Sequence, residues 1–143
     1  MSVLKATRSA QKVMSAEFSW TAADTMLDIT GVSTGFISAA AHTVDVINLP
    51  PGAIIVGGEL VRTTAFDGST YAVIVGDSGT ANRYLSTADY KAAGRTALVP
   101  TGYVGTGENI RLTITPTGTT TAGAGTLRVQ YVIANRAEEV NPG

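Results

Sequence analysis

The 143-residue chain contains no cysteine. That excludes disulfides and thiolate metal sites, and it leaves the redox compartment open. Histidine occurs once, at His42, so imidazole chemistry has a single possible position. Charged residues make up only 15%, where about a quarter is usual. Ten basic and eleven acidic residues nearly cancel to a net charge of −1, which lacks the electrostatic footprint of a nucleic-acid-binding protein. No apolar run reaches the length of a membrane span. The opening stretch MSVLKATRSAQKVMSAEFSW has no apolar core of the secretory kind. Neither nucleic acid nor membrane is therefore expected as a partner. Aromatics are scarce, at 6%.

Apolar residues supply 44% of the chain. That is enough for one core in one domain of ordinary size. A thinly charged surface suits a protein whose faces are covered by partners, because large uncharged patches are a hazard on a free monomer.

The dominant pattern is period-two alternation, the mark of a sheet with one face in the core. In ENIRLTIT (108–115), Ile110, Leu112 and Ile114 share a face. In TLRVQYVIAN (126–135), Leu127, Val129, Tyr131 and Ile133 do the same. Tyr71, Val73 and Val75 form a third set, and Val44 and Val46 a fourth. LPPG (49–52) reads as a turn. Asp67-Gly68 is the favoured pair for a tight hairpin. Gly57-Gly58 inside an extended run suggests a bulge. One short helix is expected after Leu85, with Ser86 as cap, Asp89 completing a capping box and Gly94 as stop. About eight strands with little helix point to an all-β antiparallel sandwich, for which a jelly roll is the leading architecture and an immunoglobulin-like sandwich the alternative. The expected organisation is a basic N-terminal arm over 1–13, a β-sandwich over 14–137 and a tail over 138–143.

VIVGDSGTANRYL (73–85) contains the tetrapeptide that surrounds the nucleophile of trypsin-like proteases, and SAAAHTVDV (38–46) echoes the segment carrying their base. A triad needs serine, histidine and acid held in mutual hydrogen-bond reach. Only 36 positions separate His42 from Ser78, too few to complete one barrel and enter a second, and Gly-Thr-Ala follows Ser78 where those enzymes show Gly-Gly-Pro. The stretch is therefore read as strand, turn and connection, and no catalytic residue is assigned. Asp67 and Asp77, with Ser69 or Ser78, offer oxygens of the type calcium takes, without the spacing of a known loop. No metal or cofactor is assigned either. Glycine-rich phosphate loops are missing, and no pair of carboxylates stands out for glycoside chemistry.

The block from VINLPPG through AFDG, VGDSG, RYL, GRT and PTGY, with IRLTIT and TLRVQYVIANRAEE behind it, resembles the head decoration, or cement, proteins of tailed phages. The resemblance covers roughly residues 44–137 and is one of texture and order. It implies a jelly roll, no enzymatic activity, and a virion protein made in the host cytoplasm. Such a protein binds the outside of an icosahedral head and holds neighbouring major capsid proteins together. Its implied partners are the major capsid protein and itself, as a homo-oligomer with a dimer favoured over a trimer. No residue is carried over from that family. The expected capsid or subunit contacts come from the chain itself: Lys5, Arg8 and Lys12 on the basic arm, with Phe18 and Trp20. For the two aromatics the competing reading is a place in the core. The alternative function is a receptor- or carbohydrate-binding sandwich of a tail or fibre, which calls for clustered aromatics on loops.

Overall fold

The structure, a computed structural model, describes residues 12–35 and 40–134. Among these the fold is all-β, with ten strands: β1 (Met14–Thr21), β2 (Thr25–Leu27), β3 (Ser33–Gly35), β4 (His42–Ile47), β5 (Ala53–Thr64), β6 (Thr70–Gly76), β7 (Leu85–Asp89), β8 (Gly94–Ala97), β9 (Ile110–Thr117) and β10 (Ala124–Ile133). Two four-stranded sheets pack as a sandwich, one ordered β1-β10-β5-β8 and the other β4-β9-β6-β7. Every pairing is antiparallel. The chain changes sheet at most connections. β6 and β7 are neighbours in one sheet, whereas β1 and β10 lie side by side in the other. The small β2–β3 hairpin bridges the two sheets at one side, where Ile29 N–H donates to the Thr43 carbonyl of β4 (3.0 Å).

The alternation read from the sequence builds the core. Ile110, Leu112 and Ile114 of β9, Tyr71, Val73 and Val75 of β6, and Leu127 and Val129 of β10 are all buried between the sheets. Tyr131 and Ile133 pack against them at the rim. An aromatic row closes one end. Phe18 stacks on Trp20 (centroids 5.9 Å), Trp20 on Phe66 (6.4 Å) and Phe66 on Tyr71 (3.7 Å). Trp20 Nε1–H donates to the Tyr71 hydroxyl (3.1 Å), tying β1 of one sheet to β6 of the other. Burial pushes the Tyr71 phenol up to about 12, so it stays a neutral partner for the indole.

Turn chemistry accounts for the boundaries. In Pro50-Pro51-Gly52-Ala53, Ala53 N–H donates to the Pro50 carbonyl (3.2 Å) and Gly52 has φ +85°, a type II turn with glycine at its left-handed position. The bulge expected near Gly57-Gly58 is present, because the β5–β10 register slips between Gln130 and Tyr131, opposite Val56. Gly58 has φ +150°, and a Cβ there would collide with the Arg128 carbonyl of β10.

Two local expectations are corrected. There is no helix after Leu85 among the described residues; Leu85–Asp89 is strand β7, paired with β6. The Asp89 carboxylate accepts from the Tyr71 and Lys91 N–H groups (2.9 and 3.1 Å) instead of closing a capping box. Five residues cannot offset helix nucleation when a sheet edge offers immediate backbone partners. Asp67-Gly68 is not a tight hairpin, because β5 and β6 belong to different sheets. Gly68 is needed for close approach: a Cβ there would lie 2.7 Å from Thr120 Oγ1. On β4, Val46 packs against the core on the same side as Val44, and the register shift between Asp45 and Ile47 lets Ile47 join it there.

Candidate functional site

The GDSG turn is a structural latch. Asp77, 4% exposed, accepts from Gly79 N–H and Thr80 N–H through Oδ1 (both 2.9 Å). Arg83 closes the same carboxylate with Nε to Oδ2 (2.6 Å) and Nη2 to Oδ1 (3.1 Å), a two-pronged ion pair. Burial opposes the charge on Asp77, but the hydrogen bonds from Arg83, Thr80 and Gly79 outweigh it and hold the carboxyl below its ordinary value. The guanidinium also lies 3.6 Å from the centre of the Tyr103 ring. Tyr103 in turn donates to Glu108 (2.7 Å), whose other bonds come from Thr106. These bonds, with the Tyr103 side chain named first, hold Glu108 down at about 2.

Ser78 of this turn is exposed. His42 sits on β4 opposite Ile114 of β9, which is itself opposite Val73 of β6. A whole strand lies between the two segments, about 9–10 Å for two inter-strand spacings. That is beyond any serine–imidazole hydrogen bond, so no triad is assembled. Asp67 and Asp77 stand at opposite ends of β6, and both are already engaged. Asp67 holds the 118–123 loop by accepting from the Thr121 hydroxyl and from the Thr121 and Ala122 N–H groups. The Thr121 hydroxyl, followed by the two backbone bonds, lowers its carboxyl to about 2. Among the described residues no three His, Cys, Asp or Glu side chains gather as a metal site would require.

The expected contact residues separate. Lys5 and Arg8 lie outside the described residues, and Lys12 is exposed just before β1. Phe18 is half-buried on the inner face of β1. Trp20 is 2% exposed and takes the core alternative; its ring is covered by the sandwich, so it is not available to a partner.

Two surfaces are better placed for contact. The β2–β3 hairpin presents Leu27, Ile29 and Val32, with Leu27 66% exposed, while Met26 packs inward on the core. Asp28 shapes its turn by accepting from the Thr30 hydroxyl (2.6 Å) and the Val32 N–H (3.0 Å). The stretch TMLDITGV held the signal, since its apolar residues are too many for a free loop and no adjacent strand could absorb them. The second surface is the outer face of the β4-β9-β6-β7 sheet. It carries a shallow hollow of about 200 Å³ lined by Ala72, Ile74, Asn82, Thr87, Thr113 and Thr115, without a charged group. On the opposite outer face a charge ladder crosses the sheet: Glu17 to Arg128 (2.7 Å), Arg128 to Glu59 (2.9 Å), and Glu59 to Arg95.

No family model matches the chain, and no curated protein matches it. Solved structures do carry similar chains. One belongs to the cyanophage Pam1 capsid asymmetric unit, at 23% identity and TM-score 0.63, over 92% of this chain and 94% of that one. A second belongs to the acid-stable capsid of Helicobacter pylori bacteriophage KHP30, at 21% and 0.56, over 90% and 99%. A third belongs to the capsid of Ralstonia phage GP4, at 16% and 0.59, over 94% and 92%. At these identities the likeness is one of fold, and it runs nearly end to end in each pair.

Proposed function

We propose that this chain is a structural protein of a phage virion. It binds the outer surface of an icosahedral head and cements neighbouring major capsid proteins. The observation that carries the reading is the end-to-end likeness to chains of three phage capsids, each of nearly this chain's length. The surface supports it: charges are few, and most described ones are spent on internal ladders and latches rather than gathered around a cleft. The strand order supports a jelly roll, in which two interleaved four-stranded sheets place the first and last strands together. A cementing role needs a rigid sandwich and surface grips, and no tuned acid, base or nucleophile. The apolar hairpin Leu27, Ile29 and Val32 is the proposed grip on the capsid, with Lys5, Arg8 and Lys12 of the arm as a second. Weak contacts repeated over a symmetric shell add up through avidity. Self-association, as a dimer before a trimer, belongs to the same proposal.

The test is to mix purified protein with heads lacking it and to heat them. Bound protein and a raised temperature of head rupture are expected, and a Leu27→Asp/Ile29→Asp variant should bind at least about tenfold more weakly, the loss of two buried apolar side chains. Heads that neither take up the protein nor gain heat resistance would refute the role.

A further inference from the structure

Backbone hydrogen bonds show which way each residue of β1 points. Ala22 N–H donates to the Gly123 carbonyl (2.9 Å), continuing the ladder with β10. Thr21 N–H goes instead to the Asp24 carboxylate (2.7 Å), and the Thr21 carbonyl accepts from Asp24 N–H (3.1 Å). Residues of an antiparallel strand alternate between facing the partner and facing away. So the even-numbered residues of β1 bond β10, and the odd-numbered ones turn both backbone groups outward. Asp24 caps this edge at Thr21. Ser15, Glu17 and Ser19 are left with outward N–H and C=O groups that no other described residue meets.

The remaining sheet edges are protected by recognised means. β8 is four residues long, and beyond it Val99 turns to donate to the Tyr84 carbonyl of the other sheet (2.9 Å). β4 receives the β2–β3 hairpin at Thr43. β7 is five residues long and its pairing with β6 is irregular between Val73 and Val75. β1 has eight residues, no proline and no bulge. Its outward-facing side chains at the open stretch are small, apart from Glu17, which is held by Arg128.

We propose that the β1 edge pairs with β1 of a second copy, antiparallel across a two-fold axis at Glu17. Ser15 then lies opposite Ser19 of the second copy, and Glu17 opposite its counterpart, with each pair exchanging two backbone bonds. The inner face is self-complementary in size in this register: Ala16 meets Phe18 of the second copy on both sides of the axis. Slipping by two residues one way sets Phe18 against Phe18 and leaves Ser15 opposite Thr21, which is already capped; slipping the other way sets Ala16 against Ala16 and leaves Ser19 opposite Val13, outside β1. Slipping by one turns the core face to solvent. The result is one eight-stranded sheet across the dimer, isologous as a two-fold contact must be. This names the surface for the self-association in the proposed role and rests on that role only for the expectation that copies meet.

The register makes an unusual demand, because like charges directly opposite one another weaken a strand pair. Removing the interface charge should therefore tighten the dimer. Sedimentation of the full chain over a concentration series tests it. The wild type should show a monomer–dimer equilibrium, and E17Q should lower the dissociation constant by about two- to fivefold. Ser19→Pro removes an outward N–H, a change edge strands tolerate, and the hydroxyl contact to Thr126 (2.9 Å) that Ser19→Ala also lacks; it should be monomeric with a melting temperature matching Ser19→Ala. A wild type monomeric at every concentration would overturn the proposal, as would a trimer. So would a dimer that survives in folded Ser19→Pro, or an E17Q dimer no tighter than wild type. E17Q leaves the backbone intact, so it decides the matter even if the proline variant does not fold. The virion role fails separately, on heads that ignore the protein.

Discussion

Asp77 closes the 76–79 turn by accepting two backbone N–H groups and both prongs of Arg83. The guanidinium is itself largely covered, at 17% exposure. Removing one member of such a pair leaves the other charge buried without its partner, which costs more than the pair contributes relative to apolar replacements. Asp77→Ala should therefore destabilise the fold by about 2–4 kcal/mol in denaturant unfolding, and Asp77→Asn, which keeps an acceptor, by less. Ser78 next to it is exposed, and Ser78→Ala should stay within about 0.5 kcal/mol of wild type. The two neighbours thus reverse the importance that the protease-like word GDSG suggests: its aspartate is structural, and its serine is dispensable.

At the scale of strands, the parts legible in the sequence were those decided by side-chain burial alone. β6, β9 and β10 bury the residues their alternation marks, since a period of two admits one core face. The Pro-Pro-Gly turn and the bulge beside Gly57-Gly58 were legible too, because few residues fit such backbones. What failed depended on partners distant in sequence. Leu85–Asp89 carries capping residues, but its fate is set by the open edge of β6. Asp67-Gly68 spells a hairpin, yet the flanking strands part to different sheets, and the aspartate binds a loop some fifty residues on. The apolar hairpin at Leu27, Ile29 and Val32 was missed for the converse reason: three-residue strands give too short a pattern to read. Gly58 is where the β5–β10 pairing is least forgiving. Gly58→Ala combines a left-handed φ with a collision against the Arg128 carbonyl, and should cost at least about 2 kcal/mol. Gly102→Ala separates the two effects: it shares the positive φ (+76°) but has open space around it, so its loss should be smaller in the same unfolding measurement.

For the molecule as a whole, the carboxylates act together as connectors between segments, which sets its response to acid. Asp67 ties the 118–123 loop to the entry of β6, Glu108 ties Tyr103 and Thr106 to the entry of β9, Asp77 holds its own turn, Asp28 holds the hairpin turn, and Glu59 joins Arg95 and Arg128 across the sheet. All five have carboxyls below their ordinary values, with Asp67 and Glu108 at about 2. A carboxyl depressed in the folded state adds stability that is complete above its unfolded value and lost as pH falls through the folded one. The unfolded values are 3.8 for Asp and 4.5 for Glu. Melting temperature should therefore be nearly level from neutral pH to about 5 and fall most steeply between about 4.5 and 2. Glu59 is half-buried and its partner Arg95 exposed, so added salt should flatten the ion-paired part of the slope, that of Glu59, more than the part carried by Thr121 and backbone donors on Asp67. Thr121→Val keeps the shape and removes the leading bond to Asp67. It should lower the neutral plateau, where the ionised carboxylate uses that bond, and the two proteins should converge as Asp67 is protonated between about 3.8 and 2. Melts of the two proteins across pH decide it: parallel acid limbs would mean that Asp67 does not link the loop to the fold in the way its hydrogen bonds imply.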